Sequence, residues 1–140
     1  MPKKVWKNLG VTADVAEVHT EIIEKPYGDP IHQNPAGKKK FKVVRNLVNF
    51  EVLDKATKSP AHNPTLTLTV CYKQQDVNGA GGIENLKLGV YLNNEWDYLW
   101  EWKKNDPSMV ACSEPGFVGA VVVRLKRKWA DPAIGWGGGG

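Results

Sequence analysis

Four aromatic residues, Trp96, Tyr98, Trp100 and Trp102, occupy every second position of the stretch NNEWDYLWEWKKND. In an extended strand that spacing puts all four on one side. Exposed, such a face can stack against sugar rings or nucleobases, each base–aromatic stack being worth about 1–3 kcal/mol. Buried, it is the core of a sheet. The turn ahead of the strand decides between these roles. A three-residue loop, Asn93-Asn94-Glu95, sets Leu92 opposite Trp96, Val90 opposite Tyr98, Leu88 opposite Trp100 and Leu86 opposite Trp102. A two-residue Asn93-Asn94 turn sets Tyr91 opposite Trp96 and Gly89 opposite Tyr98, and the leucines then share a face with Asp97 and Glu101. Desolvation of two carboxylates favours the longer loop and a core role. Trp102, nearest the next loop, is the ring best placed to reach the surface.

Basic residues fall in two clusters, Lys38-Lys39-Lys40 and Arg124, Lys126, Arg127 and Lys128. On a strand, Arg124, Lys126 and Lys128 share a face, as a phosphate-binding stripe would. A solvated strand end, or an edge guarded by lysine, looks the same and is the more ordinary reading. Nineteen basic against fifteen acidic side chains give a formal charge of +4, which aids attraction to an anionic partner without specifying one.

Other chemistry is thinner. Glu17, His19 and Glu21 align on one face of a strand and have the donor types for a divalent metal, but so does any charged, wet strand face. The string DVNGAGGIENLK places Asp76, Asn78 and Gly81 at the first, third and sixth positions of a calcium loop. Ala80 and Lys87 stand where oxygen ligands belong, so the motif fails. Its glycines precede no helix that would hold a phosphate. No serine sits in a nucleophile elbow, and neither cysteine has a histidine partner in a motif. No metal or cofactor is expected. Cys71 and Cys112 form no framework or zinc motif. Without a leader sequence, reduced thiols are expected; a Cys71–Cys112 bridge belongs to the case of a chain trimmed from a secreted precursor. No apolar run approaches the roughly 18 residues of a membrane-spanning helix.

The elements that must position these residues read as strands. TLTLTVCYK alternates Leu66, Leu68, Val70 and Tyr72 with Thr65, Thr67, Thr69 and Cys71, and LKLGVYL continues the same pattern. VTADVAEVHTEIIEK reads as one strand with Ala16, Val18, Thr20 and Ile22 inward. In FKVVRNLVNFEVLD the apolar phase changes, which predicts a bulge or bend near Asn46–Leu47. FVGAVVVRL reads as a central strand, and NGAGG as a flexible loop. GWGGGG offers no side chain after Trp136 and reads as an unstructured end.

These elements predict an all-β fold: a single antiparallel β-sandwich over residues 1–134 with a Gly-rich tail at 135–140. An immunoglobulin-like layout is one form of it, and a partly open barrel is the competing architecture. The function expected is a non-enzymatic structural or interaction module, such as a self-assembling virion component. The missing leader, the basic clusters and the arm-like ends MPKKVWK and GWGGGG motivate this, and favour a cytoplasmic or virion-associated setting. A carbohydrate-binding domain using the aromatic strand is the alternative, and an enzyme with a site not visible in sequence comes third. Self-association or a protein partner leads the partners, with glycan and nucleic acid behind and no membrane.

Overall fold

Alternation of Leu66, Leu68 and Val70 with Thr67 and Thr69 gives a strand with one dry face and one outward face, and its neighbours repeat the pattern in register. The computed structural model describes residues 3–6, 10–25, 41–45, 47–62, 64–92, 95–125 and 133–138. In chain order the elements are β1 (Lys3–Trp6), β2 (Val11–Val15), β3 (Thr20–Glu24), β4 (Lys42–Val43), β5 (Val48–Asp54) and β6 (Leu66–Tyr72). A short helix α1 (Gln74–Ala80) and a 3-10 turn (Ile83–Asn85) follow. Then come β7 (Leu86–Leu92), β8 (Glu95–Glu101), β9 (Met109–Val110), β10 (Gly119–Leu125) and β11 (Ala133–Gly138).

Five strands form one sheet in the order β1-β2-β6-β10-β9; the other runs β3-β5-β11-β7-β8, with β4 also paired to β11. The pairings are antiparallel, and the two sheets pack as an all-β sandwich rather than closing into a barrel. The last strand, β11, lies inside its sheet, whereas the immunoglobulin layout keeps its last strand at an edge. Between the sheets, Ala13, Val15, Leu66, Leu68 and Val121 meet Phe50, Val52, Leu86, Leu88 and Trp136 in one buried core.

Several expectations are corrected. The stretch from Val11 to Glu24 is two strands in different sheets, joined by a turn in which Thr20 N and Oγ1 both donate to the Glu17 carbonyl. The N-terminal arm supplies β1, whose Trp6 is buried. NGAGG is no loose loop: it carries the last turn of α1, stopped by Gly81 in the left-handed conformation at φ 89°. The cysteines are joined, Cys71 on β6 to Cys112 in the loop before β10, with Cα atoms 5.8 Å apart. The predicted break near Asn46–Leu47 is present as the bend that separates β4 from β5, although Asn46 itself lies outside the described residues.

The Gly-rich tail is the largest correction. Residues 133–138 form a wholly buried interior strand, and Trp136, 2% exposed, donates Nε1 to the Cys71 carbonyl at 2.8 Å. Its glycines are a packing requirement. A Cβ on Gly135 would strike the Leu47 side chain, and one on Gly137 would strike the Lys42 carbonyl and the Phe41 ring. Gly89, opposite Gly135 on β7, would set a Cβ 2.6 Å from Phe41 Cζ. Phe41 and Leu47 thus lie over a floor of glycines on the outward side of this sheet. With Trp96 and Ala133 they form a second, smaller apolar cluster.

Candidate functional site

The aromatic strand β8 adopts both registers weighed from its sequence, one at each end. Near the turn, Leu92 pairs with Glu95, Tyr91 with Trp96 and Gly89 with Tyr98, the arrangement of a two-residue connection. A bulge then leaves Leu99 without an opposite residue, and beyond it Leu88 pairs with Trp100 and Lys87 with Glu101. The three-residue loop is therefore overturned. The carboxylates escape the leucine face by two routes. Asp97 sits on the edge strand, exposed, with Oδ1 accepting the Tyr98 N–H, and the bulge moves Glu101 into the row of Lys87.

One consequence is that the four rings do not share a face. Trp96, 1% exposed, belongs to the outer cluster, with Phe41 at 4.5 Å and Tyr91 at 5.3 Å between ring centres. Trp100 lies in the core between the sheets, edge-on to Trp136 at 6.0 Å. Neither offers an open ring face for stacking. Tyr98 and Trp102 are half-buried, Tyr98 with the Lys87 ammonium 5.4 Å from its ring centre and Trp102 against the main core.

Beside the bulge is a cleft of about 210 Å³, lined by Tyr98, Leu99, Trp100, Glu101, Lys103 and Asp106. Asp106 is its organised carboxylate. It accepts the Ser108 N–H at 2.9 Å, the Ser108 hydroxyl at 2.8 Å and Trp100 Nε1 at 2.9 Å. Chiefly the Ser108 N–H holds its pKa below the ordinary carboxylate value, so it is an anionic acceptor rather than an acid. Burial, with Glu101 and Asp97 adding to it, pushes the Tyr98 phenol up and keeps it protonated. An acceptor, a phenol, and the exposed Glu101 and Lys103 suit hydrogen bonding to a small polar ligand.

The outward face of the five-stranded sheet is larger. Reading across β2, β6 and β10, one row is Thr12, Thr69 and Val122, and the next is Asp14, Thr67 and Arg124. On β1, Val5 stands beside Thr12 and Lys3 beside Asp14. At the upper end Cys71, Ala120 and Val110 form a third row, and the disulfide ties the 111–118 loop over it.

Other predicted sites resolve differently. Glu17 accepts the Thr65 N–H and Glu21 pairs with Lys58 at 2.8 Å, so the Glu17, His19, Glu21 trio is dispersed. No cluster of three or more His, Cys, Asp or Glu residues suited to a metal occurs among the described residues. Of the basic clusters, Arg124 is exposed on β10; Lys38, Lys39, Lys40, Lys126, Arg127 and Lys128 lie outside the described residues. Asp76, read as a calcium-type position, is fully buried and meets Arg45 Nε at 2.9 and 3.2 Å while accepting the Lys73 N–H at 2.7 Å. The arginine inside the apolar FKVVRNLVNF was the signal for this pair. No helix among the described residues is long and apolar enough to cross a membrane. Compared with protein-family models, with curated proteins and with solved structures, the chain finds no match.

Proposed function

We propose that the chain is a non-enzymatic interaction module that self-associates, a subunit of an assembly such as a virion, and that it presents the outward face of its five-stranded sheet. The observation behind this is where apolar surface remains. Of the five exposed large hydrophobic residues among those described, three flank that face, Val5 at 41% on one side and Val110 and Val118 at 42% and 57% on the other, while Val18 and Ile23 lie off it. Between them lie Thr12, Thr67, Thr69 and Val122, with Asp14 and Arg124 as one charge of each sign. Exposed valines at both sides of one sheet face give a second such face apolar edges to pack on. The two chain ends, which as free arms would have argued for assembly, are strands of the sandwich and no longer contribute to the argument. The Cys71–Cys112 bridge supports an oxidising setting, which the surface of a virion provides. Sedimentation velocity from low micromolar to several hundred micromolar protein should show mass increasing with concentration. A strict monomer across that range, at low and high salt, overturns the reading.

The cleft at the β8 bulge favours a second reading, a glycan-binding domain. Its volume suits about one sugar ring, below the roughly 300–1,000 Å³ of drug-sized pockets. Because Trp100 lines it, binding should change tryptophan fluorescence, and Glu101→Ala should remove that change. Unaltered emission across a panel of mono- and oligosaccharides at tens of millimolar would exclude this reading.

A further inference from the structure

We infer that two copies of this chain pack face to face through the five-stranded sheet, about a two-fold axis that runs along β6. The inference rests on the self-association reading and adds to it a specific geometry. Asp14 on β2 and Arg124 on β10 both stand opposite Thr67 on β6, one on each side. Neighbouring strands are about 4.8 Å apart, so the two charges flank β6 at equal distances on the outward face. Neither makes a salt bridge among the described residues, and Arg124 is exposed.

A two-fold axis lying between two copies and along β6 exchanges left and right across that strand. It carries Asp14 of one copy over Arg124 of the other, and Arg124 over Asp14, giving two equivalent ion pairs from a single row. In the adjacent row the same rotation sets Thr12 over Val122 and Thr69 over its own counterpart, with no charge facing a like charge. Lys3, which ends the charged row on β1, is carried beyond Arg124, where no β9 residue is paired. Sheets packed in this way lie about 10 Å apart, a gap that arginine and aspartate side chains span together. A surface patch that matches itself under a two-fold rotation is what an isologous dimer requires. No other axis in the plane of this face exchanges its two charges row for row. The disulfide-bound loops over the two Cys71 rows face each other across the axis, so the copies approach most closely at the Thr67 row.

Charge reversal tests the geometry. Asp14→Arg or Arg124→Asp alone should weaken dimerisation by at least about tenfold, since each turns two attractions into repulsions. The double reversal should restore it to within about threefold of the natural protein. Melting curves of each variant verify the fold, and Asp14→Asn with Arg124→Gln replaces any variant that does not fold, the expected loss then being smaller, roughly threefold. As an independent measurement, Thr67→Cys lies on the axis and should cross-link to its counterpart with a short bis-maleimide, because Cα atoms about 10 Å apart are too far for a direct disulfide, whereas Val18→Cys, off the face, should not. If the protein associates but neither charge reversal nor Thr67→Cys behaves this way, the two-fold geometry is overturned and self-association stands. If the natural protein is monomeric throughout, both fall.

Discussion

The Arg45 guanidinium does three things at the upper end of the sandwich. It neutralises Asp76, it lies 3.4 Å from the Cys71 carbonyl, and it stands 5.5 Å from the centre of the Phe117 ring, which Lys73 approaches at 5.2 Å. Its side chain is 12% exposed and that of Asp76 0%, so removing one partner leaves a buried charge alone. Arg45→Met should therefore lower unfolding stability by about 3–5 kcal/mol in a denaturant titration, and adding Asp76→Leu should recover much of that loss. A loss under 1 kcal/mol for the single variant would show that water reaches Asp76. The Thr57 and Ala56 N–H groups hold Asp54 below the ordinary value, as the Ser108 N–H chiefly does for Asp106. For a depressed carboxylate, the stabilisation is present above the unfolded pKa, about 3.9, and lost as pH falls through the lower folded value. Thermal midpoints should stay level from pH 7 to about 5 and fall below about 4. Asp106→Asn should melt below the natural protein at pH 7, with the gap closing toward pH 2; a gap independent of pH would remove Asp106 from the account.

Among the elements, β11 shows how glycine can hold a sheet interior. Gly137→Ala would drive a methyl group into the Lys42 backbone carbonyl as well as into Phe41, and backbone yields less readily than a side-chain tip. The expected loss is about 1–3 kcal/mol by chemical denaturation, with Trp96 emission disturbed because Phe41 packs on it. The disulfide joins positions 41 apart in sequence, so opening it should cost about 4 kcal/mol on the chain-entropy account. Paired denaturation curves with and without reductant, or of Cys71→Ser/Cys112→Ser, measure this; coincident curves would mean the bridge contributes nothing. These elements also show what was legible. TLTLTVCYK could be read because its alternation is local. The β8 register could not, since a bulge at Leu99 leaves no mark in composition and each turn length explained only half the hairpin. GWGGGG looked empty because the side chains that cover its glycines, Phe41 and Leu47, come from some 90 residues earlier.

At the scale of the molecule, strand alternation was enough to read a sandwich, but not which sheet each strand joins. β2 and β3, one periodic run in sequence, diverge into opposite sheets, and nothing in VTADVAEVHTEIIEK marks the crossing, because the connecting residues 16–19, Ala-Glu-Val-His, keep the alternation. The site was read less well than the fold. Three tryptophans attract attention on the page, yet two are interior, while the surface proposed for association is made of threonine, valine and one pair of charges that look ordinary in line. The position of β11 between β5 and β7 has a kinetic side as well. On the ribosome, β5 and β7 emerge well before the strand that must lie between them, at roughly 5–20 residues per second. Until Gly138 has cleared the exit tunnel, the second sheet exists as two separate halves, each with an unpaired edge. Closure then waits on a long-range pairing, the kind that folds slowly and exposes unfinished sheet edges to aggregation.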